Sequence, residues 1–135
     1  MKDNPVILSV ETATRLGSVC LSRRNEVVVS VAGENVGSHS NTLLRQIQEV
    51  LARAQVSLGE VDLFAAASGP GSFTGLRIGL ATIKGLAATL NRPCIGVPTL
   101  QAVALSGGIS ASSVAILPAG RGEVFAQRFA VNSED

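Results

Sequence analysis

Aromatic residues and histidine are scarce in this chain, and each shortage excludes a class of site. The 135 residues include four Phe but no Trp and no Tyr. Proteins that hold single-stranded nucleic acid stack its bases on aromatic side chains, so no such platform is expected. The single histidine, His39, rules out a multi-histidine metal site, and His39 with the two cysteines has no recognisable ligand spacing. We therefore predict no bound metal and no other cofactor.

Charge and long apolar runs are also limited. Charged residues make up 16% of the chain and hydrophobic residues 46%, which favours a folded domain over disorder. The net charge is +1 and only Arg23 and Arg24 are adjacent bases, a pattern unlike a phosphate-backbone footprint. The chain lacks a run of about 18 apolar residues and a signal-peptide pattern, so we expect no membrane span and a cytoplasmic location. Cys20 and Cys94 lie in apolar stretches and are predicted to be buried free thiols, with a disulfide left open.

The hydrophobic pattern predicts an α/β fold. Three β-branched or alternating runs with short turns indicate an antiparallel meander, and a later apolar run indicates a strand buried in a parallel position. Between and after them, apolar residues recur at helical spacing. The predicted strands are Val6–Glu11, Ser18–Arg23, Glu26–Ala32, Asp62–Ser68, Cys94–Val97, Val114–Leu117 and Gly122–Val131, and the predicted helices run from Ser38 to Ala54 (capped by Ser40 or Asn41), from Ser72 or Thr74 to Leu90, and from Thr99 to Leu105.

A glycine-rich stretch, Ser68–Gly79, joins the buried strand to the second helix. It is not a P-loop, since Leu76 follows Gly75 where lysine is needed, and its glycine spacing differs from G-x-G-x-x-G. The residues leave two interpretations open: a turn that lets a strand meet a helix closely, or a loop that binds an anion or a partner. The residues singled out in this glycine turn are Ser68, Gly69, Pro70, Gly71, Ser72, Thr74, Gly75 and Arg77.

The second helix is apolar on nearly every side. A helix of this kind is covered on more than one side. It is therefore either a core helix between the sheet and the first helix, or a surface for another protein.

Four stretches carry a resemblance to the TsaB family, the non-catalytic partner subunit in bacterial tRNA threonylcarbamoyladenosine synthesis. Residues 68–79 match the family's SGPGSFTGLRIG run without a break. Residues 7–14, 39–44 and 118–125 resemble its opening strand, its first-helix motif and its later D-A-R-R-G-E-V-Y segment. Glu11 stands where the family typically has Asp, Pro118 and Gly120 replace an Asp and an Arg, and family members are much longer.

The resemblance implies an actin-like, Hsp70-like ATPase fold with a mixed five-stranded sheet, residues 1–109 being the first lobe and 110–135 the start of a second. It implies a scaffold without catalytic activity that docks on a TsaD-type catalytic subunit. A TsaE-type ATPase would join through the complex, tRNA would be contacted only indirectly, and the free chain would form a homodimer. The side chains expected at the interface are His39, Leu43, Ile47, Phe73, Leu76, Leu80 and Lys84.

Two enzymatic alternatives compete with this scaffold. A small ATP-binding enzyme of the same fold would use Glu11, Thr12 and Thr14 as a degenerate nucleotide turn. That turn lacks the glycine-rich phosphate loop of active members, and we interpret Glu11 as a strand-end acid satisfied by nearby hydroxyl and N–H groups. A serine protease would need His39 as its base and a G-x-S-x-G elbow, which is absent.

Overall fold

The computed structural model describes residues 2–33, 39–108 and 110–131. A five-stranded sheet comes first, and a short helix and a hairpin follow it. The strands of the sheet are β1 (Val6–Glu11), β2 (Ser18–Arg23), β3 (Glu26–Ala32), β4 (Leu63–Ala67) and β5 (Cys94–Val97). The helices are α1 (His39–Ala54), α2 (Phe73–Leu90) and α3 (Thr99–Ser106), and the hairpin strands are β6 (Ser112–Gly120) and β7 (Glu123–Ala130).

The sheet has the strand order β3-β2-β1-β4-β5. β1 runs antiparallel to β2 and parallel to β4, and β4 runs parallel to β5. The predicted meander followed by parallel strands is confirmed. The connection from β3 to β4 contains α1, and the connection from β4 to β5 contains α2. Helices in such connections can cover one face of the sheet.

The core lies between this face of the sheet and the two helices. Alternate residues of β1 point to it, and Leu8 lies opposite both Leu21 of β2 and Phe64 of β4; all three are fully buried. Val50 of α1 and Ile83 of α2 close the core from the helical side. The helical spacing read from the sequence thus marks the buried side of α1 through Leu43, Ile47 and Val50, whereas Leu44, which the spacing placed on the same side, is exposed.

A carboxylate anchors the start of the sheet. The backbone N–H of Val6 donates to Asp62 Oδ2 at 2.9 Å, and Lys2 Nζ lies 2.9 Å from Oδ1 of the same residue. These contacts, the Val6 N–H first, hold the pKa of Asp62 below its ordinary value. The negative form of Asp62 thus ties the first strand to the segment before β4.

Several predicted details differ in the structure. α1 begins at His39, so Ser40 and Asn41 lie inside its first turn rather than at its cap. Cys94 is exposed because β5 is an edge strand, and only Cys20 is partly buried, which raises the pKa of its thiol. Both cysteines are free.

The hairpin strands also differ in length from the prediction. β6 is longer than predicted, because pairing continues from Ser112 opposite Ala130 to Gly120 opposite Glu123. β7 is shorter than predicted by one residue at each end. The predicted helix start at Ser38 and the boundary after residue 109 fall outside the described residues. Within the described part of the chain, no helix is long and apolar enough to cross a membrane.

Candidate partner-binding site

The glycine turn brings the start of α2 against the turn that follows β1. The N–H of Ser72 donates to the carbonyl of Ala13 at 2.8 Å. A Cβ on Gly71 would lie 2.5 Å from the Cβ of Ala13, so the backbones can meet at this distance only with glycine. Gly69 has a φ of 110°, and the Gly69–Pro70 peptide bond is cis. The geometry of this stretch is that of a close strand-to-helix junction.

Thr12 fills the space beside the first turns of α2. Its side chain is buried, and its Oγ1 donates to the carbonyl of Gly75 at 2.6 Å. A Cβ on Gly79 would overlap the same hydroxyl oxygen. Thr12, one of the residues of the predicted nucleotide turn, therefore packs and hydrogen-bonds between the end of β1 and α2.

Glu11 closes its own turn. One carboxylate oxygen accepts the backbone N–H of Thr14 and the other accepts the Thr14 hydroxyl, each at 2.7 Å. The interpretation of Glu11 as a strand-end acid satisfied by nearby groups is confirmed. The side-chain oxygens that an active nucleotide turn would offer to phosphate or to a metal-bound water are engaged here, those of Glu11 by Thr14 and that of Thr12 by the carbonyl of Gly75.

Two of the donors at the start of α2, the N–H groups of Gly75 and Leu76, form bonds within the helix start. Of the two predicted caps, Ser72 is the N-cap, and its Oγ accepts the N–H of Gly75 at 3.1 Å. The N–H of Leu76 donates to the carbonyl of Ser72 at 2.8 Å. These bonds are those of a capped helix start, in which Ser72 satisfies one of the N–H groups of the first turn.

A cavity of 650 Å³ opens between this junction and the hairpin. Its polar side chains are Thr14, Arg15 and Ser72, and the hairpin contributes Leu117 and Phe125. Among the residues that the structure describes, no three His, Cys, Asp or Glu side chains are grouped as metal ligands would be.

The outer side of α2 is exposed and carries small, apolar and basic residues. The helix turns Gly75, Gly79, Ile83 and Ala87 inward. Outward, Phe73 is 74% exposed, and the guanidinium carbon of Arg77 lies 5.2 Å from the centre of its ring. Further along lie the exposed residues Ala81, Lys84, Gly85 and Ala88. A shallow groove of 350 Å³ is lined by Thr74, Arg77, Ile78 and Ala81.

The predicted interface residues divide between this outer side and the core. Phe73 and Lys84 are exposed, and Leu76 and Leu80 are half-buried. Leu43 and Ile47 are only 2% and 3% exposed, because α1 turns them toward the sheet, so the structure does not offer them to a partner. The side chain of His39 lies outside the described residues.

Leu44 escaped the sequence reasoning as an outward residue, and Ala81 was predicted only as one of several small residues of the second helix that would let another helix approach. Leu44 is 56% exposed on α1, and Ala81 is exposed on α2. A signal for Leu44 existed: its helical neighbours Asn41 and Gln48 are polar, which places it on the polar side of α1. Ala81 carried no such signal, because small residues occur on both sides of α2.

Comparisons with known proteins agree with this architecture. The family model for TsaD, tRNA N6-adenosine threonylcarbamoyltransferase, matches residues 32–135. The chain is 38% identical over 99 residues to the tRNA threonylcarbamoyladenosine biosynthesis protein TsaB of Escherichia coli. The aligned residues make up 73% of this chain and 42% of that protein. A tRNA N6-adenosine threonylcarbamoyltransferase of Chelativorans is 37% identical over 106 residues, covering 74% of this chain and 28% of the enzyme.

The solved structures give the same relationship. YeaZ from Pseudomonas aeruginosa superposes with a TM-score of 0.83 at 30% identity, over 96% of this chain and 61% of that chain. The chain thus spans about two fifths of the E. coli relative and three fifths of this structural neighbour. Because the family model covers well over half of its residues and the TsaB relatives align over most of it, the chain has the actin-like fold and belongs to the TsaD-type threonylcarbamoyltransferase family, on its TsaB branch.

Proposed function

We propose that this chain is a non-catalytic scaffold that docks on a TsaD-type catalytic protein during threonylcarbamoyl modification of tRNA at the adenosine next to the anticodon. The observation that carries this proposal is the outer side of the helical layer, where Phe73 is 74% exposed on a helix whose other side lies in the core. Exposed apolar surface rimmed by polar residues is typical of protein interfaces. We regard residues 1–109 as one lobe and 110–135 as the start of another.

The docking surface, called the outer helical face below, combines residues of both helices. α1 and α2 pack beside each other over the same side of the sheet, so their outward side chains share one surface. Small side chains on α2 allow a partner helix to approach closely, and Phe73 supplies an aromatic anchor of the kind that dominates interface energetics. The outer helical face consists of Leu44, Phe73, Arg77, Ala81, Lys84, Gly85 and Ala88.

The turn after β1 supports the non-catalytic assignment. Glu11 is bonded to Thr14, and Thr12 is bonded to Gly75, so the residues of the alternative ATP-binding enzyme serve the fold. Measurable ATP affinity of the isolated chain would contradict this assignment.

The other partners follow from docking on the catalytic subunit. A TsaE-type ATPase and tRNA join through that subunit, in the cytoplasm, and the free chain pairs with a second copy through the outer helical face. The names of the TsaB relatives, which are threonylcarbamoyladenosine biosynthesis proteins, support a role in this modification.

The test is light scattering on a size-exclusion column with the chain alone, the Chelativorans threonylcarbamoyltransferase alone, and the two mixed. We expect a new peak with the mass of a one-to-one complex. Ala81→Trp adds bulk to the outer helical face and should abolish that peak. Ala130→Trp makes the same change at an exposed position of β7 and should leave it intact. Two unchanged peaks for the unmodified chain, or equal effects of both variants, would overturn the proposal.

A further inference from the structure

The charges of this nearly neutral chain are unevenly distributed. α1 and α2 together hold four bases, Arg45, Arg53, Arg77 and Lys84, and one acid, Glu49. The rest of the chain holds the other seven bases and nine acids. Although the net charge of the chain is +1, the two helices form a basic layer and the rest of the chain has a net negative charge. Such a layer attracts negatively charged partners and repels positively charged ones.

The bases of α2 are not neutralised by a carboxylate of residues 2–33, 39–108 or 110–131. Glu49, the acid of the helical layer, forms an ion pair with Arg53 on α1 at 2.5 Å. In the described part of the chain, neither Arg77 nor Lys84 forms an ion pair with a carboxylate. The guanidinium carbon of Arg77 lies 5.2 Å from the centre of the Phe73 ring, and a guanidinium placed over a ring can still donate hydrogen bonds to a carboxylate. Both cations are therefore available to a partner.

We infer that the outer helical face selects an acidic helix of the catalytic partner, with two carboxylates that pair with Arg77 and Lys84 and an apolar side chain between them. This inference rests on the proposed docking function and adds the chemistry of the partner surface to it. It also makes charge, rather than apolar area alone, the source of selectivity for a different protein over a second copy.

The spacing along α2 defines the complement. Arg77 and Lys84 are seven residues apart, which is about two turns and about 10.5 Å along one side of a helix. Ala81 lies between them and is exposed, so a partner helix can approach the backbone there. The groove beside Ala81, with a volume of 350 Å³, has room for an apolar side chain of the partner. A helix lying along α2 with carboxylates about seven residues apart meets all three features, and Arg77 can bind one carboxylate through two parallel hydrogen bonds.

Charge also discriminates against the competing occupants. A second copy would bring Arg77 and Lys84 toward the same bases, and like charges across an interface oppose association, so the proposed pairing of the free chain is weaker than its docking on an acidic helix. RNA would find two cations about two helical turns apart with Ala81 between them, whereas nucleic-acid sites track the phosphate backbone with clustered bases. The mixture of a few bases with apolar and small residues fits a helix better than either.

The experiment measures the dissociation constant of the one-to-one complex with the Chelativorans threonylcarbamoyltransferase at 50 and 500 mM NaCl. The test variant is Arg77→Glu/Lys84→Glu. Its matched control is Arg121→Glu/Arg128→Glu, which changes the net charge equally on the exposed hairpin. We expect the test variant to weaken binding about tenfold or more at 50 mM NaCl, because repulsion between carboxylates replaces two exposed ion pairs, while the control changes it less than about threefold. Sedimentation of the chain alone at both salt concentrations follows self-association.

The outcomes separate this inference from the function on which it rests. Weaker hetero-association and stronger self-association at high salt would support it, because screening removes an attraction in one case and a repulsion in the other. A complex whose affinity is independent of salt and equal in both double variants would overturn the acidic helix and leave docking intact. No complex in any condition would overturn docking itself. Retardation of tRNA by the chain alone, lost in Arg77→Glu/Lys84→Glu, would overturn the helix in favour of RNA.

Discussion

The two sides of α2 are built from the same small residues but serve different ends. On the packed side, Gly75 and Gly79 bring the helix against Thr12 and the turn after β1. On the outer side, Gly85 has no neighbouring atom within 4 Å of the position its Cβ would take. Small residues thus permit an internal contact on one side and leave room on the other. The residue type alone does not distinguish these two roles. The same substitution made once on each side of α2 distinguishes them by its effect on stability.

The largest contrast is expected between two phenylalanines, one under α2 and one on its outer side. Phe64 on β4 is fully buried, and Phe64→Ala should lower the free energy of unfolding by about 3–5 kcal/mol through lost burial and a cavity. Phe73→Ala should change it by less than about 0.5 kcal/mol, since the ring is largely exposed. Urea unfolding followed by far-UV circular dichroism measures both. A loss for Phe73→Ala as large as that for Phe64→Ala would show that the outer side is packed in solution.

A second contrast uses one substitution at two glycines of α2. Gly79→Ala should destabilise the fold by about 1–3 kcal/mol, because its Cβ meets the buried and hydrogen-bonded Thr12 hydroxyl. Gly85→Ala should stabilise it by about 0.5–1 kcal/mol, because alanine favours the helix and meets no neighbour. Thermal unfolding should therefore shift in opposite directions for the two variants. Shifts of the same sign would refute the assignment of the two sides.

The third contrast compares two threonine hydroxyls that each donate to a carbonyl of α2. Thr12→Val leaves the buried carbonyl of Gly75 without this partner and should cost about 1–3 kcal/mol. Thr89 donates to the carbonyl of Gly85 at 2.8 Å on the exposed side, where water can replace it, so Thr89→Val should change stability by less than about 0.5 kcal/mol. Chemical denaturation of both variants checks this, and equal costs would count against a special role of Thr12.

Much of this fold could be predicted from the sequence because its signals are local. Alternation in β1 and β2 and the helical spacing of Leu43, Ile47 and Val50 correspond to buried stripes. The cap at Ser72 was one of the two predicted from the turn chemistry, and Thr74, the other, lies inside the helix. These features depend on a few neighbouring residues, so a local pattern is sufficient to find them.

The outer helical face could be predicted only in part, because exposure depends on contacts between distant segments. Leu43 and Leu44 are adjacent leucines, and only the packing of α1 on the sheet buries one and exposes the other. The bonding of Thr12 to Gly75 joins residues 63 positions apart, and no local pattern contains it. The resemblance predicted a partner surface on α1 and α2, but identifying the side chains of these helices that face outward required the packed structure.

Lowering the pH should produce the smallest of these differences in stability between the packed and outer sides of the molecule. α2 contributes no carboxylate to the outer side, whereas the packed sheet is anchored by Asp62, whose pKa is lowered by the Val6 N–H and by Lys2. A carboxyl with a lowered folded-state pKa contributes stability that is complete above its ordinary pKa of about 3.9 and is lost as pH falls through the folded value. The wild-type chain should therefore lose this contribution below about pH 4.

Asp62→Asn isolates that contribution because asparagine does not titrate. At pH 7 the variant should be less stable than the wild type, since it loses the charged partner of Lys2 and the charge-assisted bond from Val6. As the pH falls from 5 toward 2, the two free energies of unfolding should converge, because the protonated wild type loses the same interactions. Asp3→Asn, at an exposed position, should follow the wild type throughout. Urea unfolding at each pH gives the comparison, and a gap between wild type and Asp62→Asn that stays constant from pH 7 to pH 2.5 would mean that the ionised carboxylate does not anchor the sheet.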